Sequence, residues 1–151
     1  MKKIIQNLFY LFLPLILGLL TGLIINENID YTSLVKPALA PPSILFPIIW
    51  SIIYLLMGVS YYLVRNDYYF DKETKIIYYA QLIVNILWSI IFFNLKLRLL
   101  SCIWIILLDL LVILMIKKFY KINKISAYLN ILYLIWCLFA TYLTIGIYIL
   151  N

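Results

Sequence analysis

Rings and amides, rather than acids and bases, are the chemically capable groups of this chain of 151 residues. Phe46, Trp50, Tyr54 and Gly58 recur every fourth residue; Gln81, Asn85, Trp88 and Phe92 follow i, i+4, i+7, i+11; and Tyr133, Trp136 and Ala140 follow i, i+3, i+7. Each set therefore shares one face of a helix. Flat rings beside a single amide suit the stacking and orientation of a flat apolar ligand. They do not suit group transfer, because there is no histidine and no nucleophile–base pair. Cys102 and Cys137 have no pair spacing that would make a metal site or redox couple, so both read as small packing residues. Asp109 is the one acid deep in an apolar stretch; with no histidine or second acid beside it, a hydrogen bond to a neighbouring helix is expected rather than a proton relay.

The elements that must position these groups follow from composition. The chain is 67% hydrophobic and 12% charged, with a mean hydropathy of +1.08, a balance that leaves too little polar surface for a soluble domain. Five stretches, 4–25, 44–64, 76–95, 99–116 and 125–150, are apolar and near the ~20 residues that cross a ~30 Å hydrocarbon layer. They are continuously apolar rather than alternating, so helices are expected and not a barrel. The fold class is thus an all-α membrane protein, a single domain over 1–151 built as a bundle of five transmembrane helices. The first stretch follows Lys2 and Lys3 as a signal peptide would, but it is too long and lacks a small-residue cleavage pattern, so it is expected to remain as a span.

Lys2, Lys3, Arg65, Lys72, Lys75, Lys117, Lys118, Lys121 and Lys124 fall on the N-terminal side and Lys36, Lys96 and Arg98 on the other. Nine against three places the N-terminus in the cytoplasm and the C-terminus outside. The net charge of +6 is mostly this topology signal, and a nucleic-acid partner would need a folded basic surface that the chain lacks. Richness in Ile, Lys, Asn and Tyr suits a bacterium of low genomic GC, hence a bacterial cell membrane.

Counting ~1.5 Å per residue puts Trp50 ~9 Å and Tyr54 ~15 Å below the outer edge. Asn85, Trp88, Trp136 and Ala140 lie ~14, ~18, ~16 and ~22 Å above the inner one. All sit in the outer half, beneath the loop 26–43. That loop holds Pro37, Pro41 and Pro42, three of the five prolines, and is stiff because proline fixes φ. A lidded pocket is the expectation. Tyr61, Tyr62, Tyr68, Tyr69, Tyr78, Tyr148 and Trp104 fit interfacial belts instead. Gly18 and Gly22 form a small-xxx-small pair that suits close packing inside the monomer or a homodimer.

Tyr31 with Leu34 and Lys36-Pro37, then Pro41-Pro42, Phe46, Trp50, Tyr54 and Met57-Gly58, then Asn85 with Trp88-Ser89 and Phe92, then Leu108-Asp109-Leu110-Leu111, and last Tyr133 with Trp136, Phe139-Ala140-Thr141 and Leu143 occur in that order across the five stretches. In this order and spacing the chain resembles the TspO/translocator protein family, the tryptophan-rich sensory proteins, over nearly its whole length. The resemblance implies a five-helix bundle with a pocket under the first loop. It implies porphyrins and other tetrapyrroles, sterols, or isoquinoline-type compounds as small hydrophobic ligands, with membrane lipid around the bundle and no cofactor required. Carried over by position, Tyr31 and Pro41 belong to the lid, Trp50 and Trp136 flank the ligand, Asn85 and Trp88 line the floor and Ala140 leaves room. With Phe46, Tyr54 and Phe139 these form the candidate ligand site. The family's loop tryptophans are replaced by Asp30 and Leu39, its proline and asparagine on the last helix by Leu132 and Thr144, and no basic residue follows Tyr142 to complete a sterol motif. The expected function is a sensor or carrier of tetrapyrroles, with a light-dependent porphyrin-degrading enzyme or a small-molecule transporter as alternatives.

Overall fold

The computed structural model describes residues 2–25 and 31–151, with side chains from residue 4 onward. Asp30 and the start of the loop, like the side chains of Lys2 and Lys3, lie outside the described residues. Five helices run through it: α1 Lys2–Ile25, α2 Leu45–Val64, α3 Lys72–Ser89, α4 Arg98–Ile122 and α5 Lys124–Leu150. Each carries a stretch long and apolar enough to cross a membrane, and no strand occurs among the described residues. The protein is therefore an all-helical, multi-pass membrane protein.

Local chemistry sets the ends. Asp71 caps α3 by accepting from the Thr74 amide at 2.7 Å, which starts that helix four residues before its apolar stretch. Asn123 alone joins α4 to α5, its side chain accepting from the Ser126 amide at 3.1 Å. α3 ends in a π-helical turn, Ile90–Asn94, closed by the Leu95 amide donating to the Ile90 carbonyl at 3.0 Å. Widening the helix there leaves the Phe92 carbonyl to Arg98, which donates to it at 2.8 Å and lays its guanidinium over the Phe92 ring at 4.6 Å.

Around the bundle the order is α1, α2, α5, α4, α3, with α1 touching α3 only lightly. The α2–α5 seam is knotted by small polar groups, as expected where apolar burial gives helices no reason to associate. Ser126 donates to the Ser60 carbonyl at 2.8 Å, and Asn130 donates to the Ser126 carbonyl at 2.9 Å and to the Ser60 hydroxyl. Trp104 ties α4 to α3 by donating to the Val84 carbonyl at 3.0 Å. Thr141 on α5 donates to Asp109 Oδ2 on α4 at 2.7 Å, the interhelical bond expected of that acid. Both cysteines are buried and free.

α1 is the least buried helix, with Ile4, Ile5, Leu8, Phe9, Phe12 and Ile16 all exposed where lipid would lie. Its tight crossing with α2 is at Gly58, where a Cβ would run into the Leu11 backbone. Gly18 admits the Tyr54 ring, while a Cβ on Gly22 would meet nothing within 4 Å. The glycine pair of α1 thus serves packing inside the monomer at one member and borders open space at the other. Pro14, between the crossing and that opening, lacks the amide that would bond to the Tyr10 carbonyl.

Two tyrosines depart from the belt expectation. Tyr61 and Tyr78 are buried and stack at 4.0 Å, filling the end of the bundle opposite the first loop. A period-based reading cannot separate ring-on-ring packing near a helix end from an interfacial ring at the same depth. Tyr62, Tyr68, Tyr69 and Tyr148 are exposed, as a belt requires.

Candidate functional site

Where α1 and α2 part beyond Gly18, a partly open cavity of about 290 Å³ lies among α1, α2 and the end of α3. Tyr31, Phe46, Trp50, Tyr54, Trp88 and Phe93 supply its aromatic wall. Trp50 stacks on Tyr54 at 5.5 Å and lies 6.4 Å from Trp88, so the α2 stripe and the α3 face meet as one continuous ring surface. A second void of about 20 Å³ lies behind Tyr31, Phe46, Trp88 and Phe93, which line both spaces, and is closed on its far side by Ala140, Leu143, Thr144 and Ile147.

The loop is held over this end from the α5 side. Asn151 donates to the Val35 carbonyl at 2.9 Å and accepts from the Val35 amide at 3.0 Å, and Tyr142 donates to the Ala38 carbonyl at 2.7 Å. Pro37 packs so closely on Gly146 that a Cβ there would sit 2.7 Å from its Cγ. The Ala40 amide returns to the Pro37 carbonyl at 3.3 Å, closing a turn whose third residue, Leu39, takes a φ of 66° usually left to glycine or asparagine. From this anchored strap Tyr31 turns inward, buried and edge-on to Phe46 at 5.2 Å, with the Lys36 ammonium 4.7 Å from the centre of its ring. Burial raises the Tyr31 phenol above its ordinary pKa, so it keeps its proton at physiological pH.

Beneath the rings runs a closed polar network. Tyr54 donates to Asn85 Oδ1 at 2.6 Å, Asn85 donates to the Tyr133 hydroxyl at 2.9 Å, and Tyr133 donates to Gln81 Oε1 at 2.8 Å. Gln81 Nε2 ends the chain 3.3 Å from the Met57 sulfur. Asn85 and Gln81 are fully buried, and the network answers the cost of placing amides at this depth.

Of the residues expected at the site, Tyr31, Phe46, Trp50, Tyr54 and Trp88 come together on the main cavity, and Ala140 reaches only the small void. Asn85 stands one layer behind, its amide committed to two tyrosines. Trp136 packs edge-on against Phe46 at 6.0 Å and lies tilted against Phe139 at 5.5 Å, and neither it nor Phe139 or Pro41 lines either space. The helical stripes do not reveal the contribution of α1: Leu15, Gly18, Leu19, Thr21 and Gly22 form the opposite wall. Its one sequence signal is the pair Gly18 and Gly22 on the same face as Leu15. The exposed members of the lining, Leu19, Gly22 and Leu23 on α1 with Ser43 and Pro47 at the start of α2, mark the mouth.

Comparison with known proteins agrees with this architecture. The chain is 40% identical to the tryptophan-rich protein TspO of Archaeoglobus fulgidus over 122 residues, covering 80% of this chain and 79% of that one. It is 34% identical to the tryptophan-rich protein TspO of Chlorobaculum tepidum over 124 residues, 80% and 78% of the two chains. It is 33% identical to protein CrtK of Rhodobacter capsulatus over 135 residues, 87% and 84% of the two. The description of the TspO/MBR family matches residues 10–150, and so the chain, a five-helix membrane protein with an aromatic cavity beneath its first loop, belongs to the TspO/MBR family.

Proposed function

We propose that this protein binds porphyrins and similar flat hydrophobic molecules in the α1–α2–α3 cavity and acts as a sensor or carrier for them, with the N-terminus in the cytoplasm and the loop end of the bundle outside. The observation that carries this reading is the cavity of about 290 Å³ walled by six aromatic side chains. Small-molecule sites are concave, mostly apolar and of ~300–1,000 Å³, with a few polar groups that fix orientation. This one lies at the lower end. A whole macrocycle would leave an edge in the mouth between α1 and α2, or turn aside the four side chains that divide the two voids. The nine-to-three division of basic residues supports the orientation.

Protoporphyrin titrated against the purified protein in lipid nanodiscs tests the reading through tryptophan quenching. Wild-type protein is expected to saturate. Gly22→Leu, which projects a side chain from the open wall, should weaken binding by roughly tenfold or more, because a filled cavity loses ligand contacts one for one. Trp50→Phe keeps a ring but less surface and should cost roughly three- to tenfold. Quenching with no saturation, or equal affinity in all three proteins, would refute a ligand site in this cavity.

A further inference from the structure

The end of the bundle opposite the first loop divides its charge unevenly. Along 65–75, between α2 and the first turn of α3, Arg65, Lys72 and Lys75 are matched by Asp67, Asp71 and Glu73. Beyond Asp109 the chain has no acid at all, yet Lys117, Lys118, Lys121 and Lys124 gather where α4 turns into α5. Lys118 leans across to α3, 2.5 Å from Glu73 and 3.8 Å from Asp71. Lys117, Lys121 and Lys124 are exposed and have no ion-pair partner among the described residues. An excess of basic residues on one side of the membrane sets topology wherever on that side it falls. Topology therefore does not explain why three cations without an acid share one helical hairpin while the neighbouring loop is neutral.

These cations frame a local site. Lys117, Tyr120 and Lys121 stand at i, i+3 and i+4 and so share one face of α4. Tyr120 meets Tyr128 of α5 edge-on at 6.1 Å, and the Lys124 ammonium lies 5.6 Å from the Tyr120 ring centre, so the face continues onto α5. Both rings are exposed, and a phenol hydroxyl can donate to a phosphate beside the ammonium groups. Leu110 and Ile106, two and three turns from Lys117 along α4, are exposed, as are Ile131 and Ile135, which follow Tyr128 on α5. A positively charged head position thus stands at the foot of an apolar strip that runs along both helices.

We propose that the α4–α5 turn binds an anionic glycerophospholipid, its phosphate held among Lys117, Lys121 and Lys124, its glycerol region against Tyr120 and Tyr128, and an acyl chain along the apolar strip. Charge complementarity chooses the occupant, since a basic cluster beside spanning helices suits an anionic headgroup. Phosphatidylcholine carries the same phosphate but adds a quaternary ammonium that the lysines repel. A soluble anion would make no use of the strip. The site lies at the opposite end from the aromatic cavity and does not depend on what that cavity binds.

Native mass spectrometry of the full-length protein in detergent, titrated with an equimolar mixture of phosphatidylglycerol and phosphatidylcholine of identical acyl chains, reads the preference as a ratio of affinities. A lysine near an anionic headgroup is worth roughly fivefold, so the wild-type protein is expected to favour phosphatidylglycerol by roughly tenfold or more. Lys121→Gln with Lys124→Gln should cut the ratio by about fivefold or more, whereas Lys121→Arg with Lys124→Arg should keep it. Lys72→Gln with Lys75→Gln removes the same charge from the neighbouring loop and should change the ratio by less than about twofold. Raised ammonium acetate should lower the wild-type ratio. A wild-type ratio near one, a ratio unmoved by the Lys121 and Lys124 glutamine pair, or an equal fall in both glutamine pairs overturns the site, the last by showing only the general field of that end. Free glycerol phosphate in excess abolishing the preference would show that the headgroup alone is bound, and would overturn the lipid assignment.

Discussion

Removing Asn85 and Tyr54 singly and together measures whether the polar network beneath the cavity is a structural unit. Asn85 is fully buried and makes two hydrogen bonds, accepting at 2.6 Å from Tyr54 and donating at 2.9 Å to Tyr133. Side-chain hydrogen bonds between membrane helices average ~0.6 kcal/mol with a maximum near ~1.7. A buried group left without its partner costs a further ~1–3 kcal/mol. Tyr54→Phe removes one bond and orphans Asn85 Oδ1, so about 1–2 kcal/mol is expected. Asn85→Leu removes two bonds and orphans the Tyr54 hydroxyl, for about 2–3 kcal/mol. The double variant leaves neither of that pair orphaned and should cost about 1 kcal/mol less than the sum of the singles, a coupling well above the ~0.3–0.5 kcal/mol by which independent sites fail to add. Unfolding by sodium dodecyl sulfate in mixed micelles, followed by helix circular dichroism, gives the three values. Strict additivity would sink the argument, because the 2.6 Å bond would then contribute nothing to the fold. A second comparison separates structure from binding: Asn85→Leu should change ligand affinity less than Trp50→Phe, since Trp50 lines the cavity and Asn85 does not.

Gly58→Ala forces a Cβ into the Leu11 backbone and should destabilise the α1–α2 pair by about 1–3 kcal/mol, whereas Gly22→Ala meets open space and should be neutral or gain up to about 1 kcal/mol of helix propensity; the same detergent unfolding series checks the contrast, and equal effects would refute the crossing point. Tyr142→Phe removes the bond to the Ala38 carbonyl and should speed amide exchange at 34–40 by roughly threefold to tenfold without altering exchange in α3. Raising pH should loosen the strap: burial lifts the Tyr31 pKa above its ordinary 10.0, so the stability it lends is fully present below pH 10.0 and is lost as pH rises through the folded value, visible as faster exchange at the loop but not at the bundle core. The opposite sign holds at α3, where the hydrogen bond from Thr74 lowers the Asp71 pKa from 3.8; that cap is intact above 3.8 and is lost as pH falls through the lowered value, fraying the first turn of α3.

Composition and periodicity are enough to settle the class of object and the faces of its helices. Hydropathy fixes five spanning helices because the bilayer thickness sets a length that few soluble helices reach with so little charge. Periods of three and four then put Phe46, Trp50 and Tyr54 on one line and Gln81, Asn85 and Trp88 on another, whatever they face. What each line faces was decided only by tertiary structure. Asn85 and Trp88 lie almost one above the other on α3, yet the first is bound into Tyr54 and Tyr133 and the second opens onto the cavity, because the neighbouring helices approach them at different levels. Trp50 and Trp136 look equivalent as rings of the outer half, but only Trp50 reaches the void, since α1 leaves α2 and not α5 to form the gap. The opposite wall on α1 has almost no signature: its residues are leucine, isoleucine, glycine and threonine, and they line a cavity only because Gly58 brings the helices together at one end and they part at the other. A hydrophobic pattern records which side of a helix is buried or in lipid, and carries no record of where two helices separate.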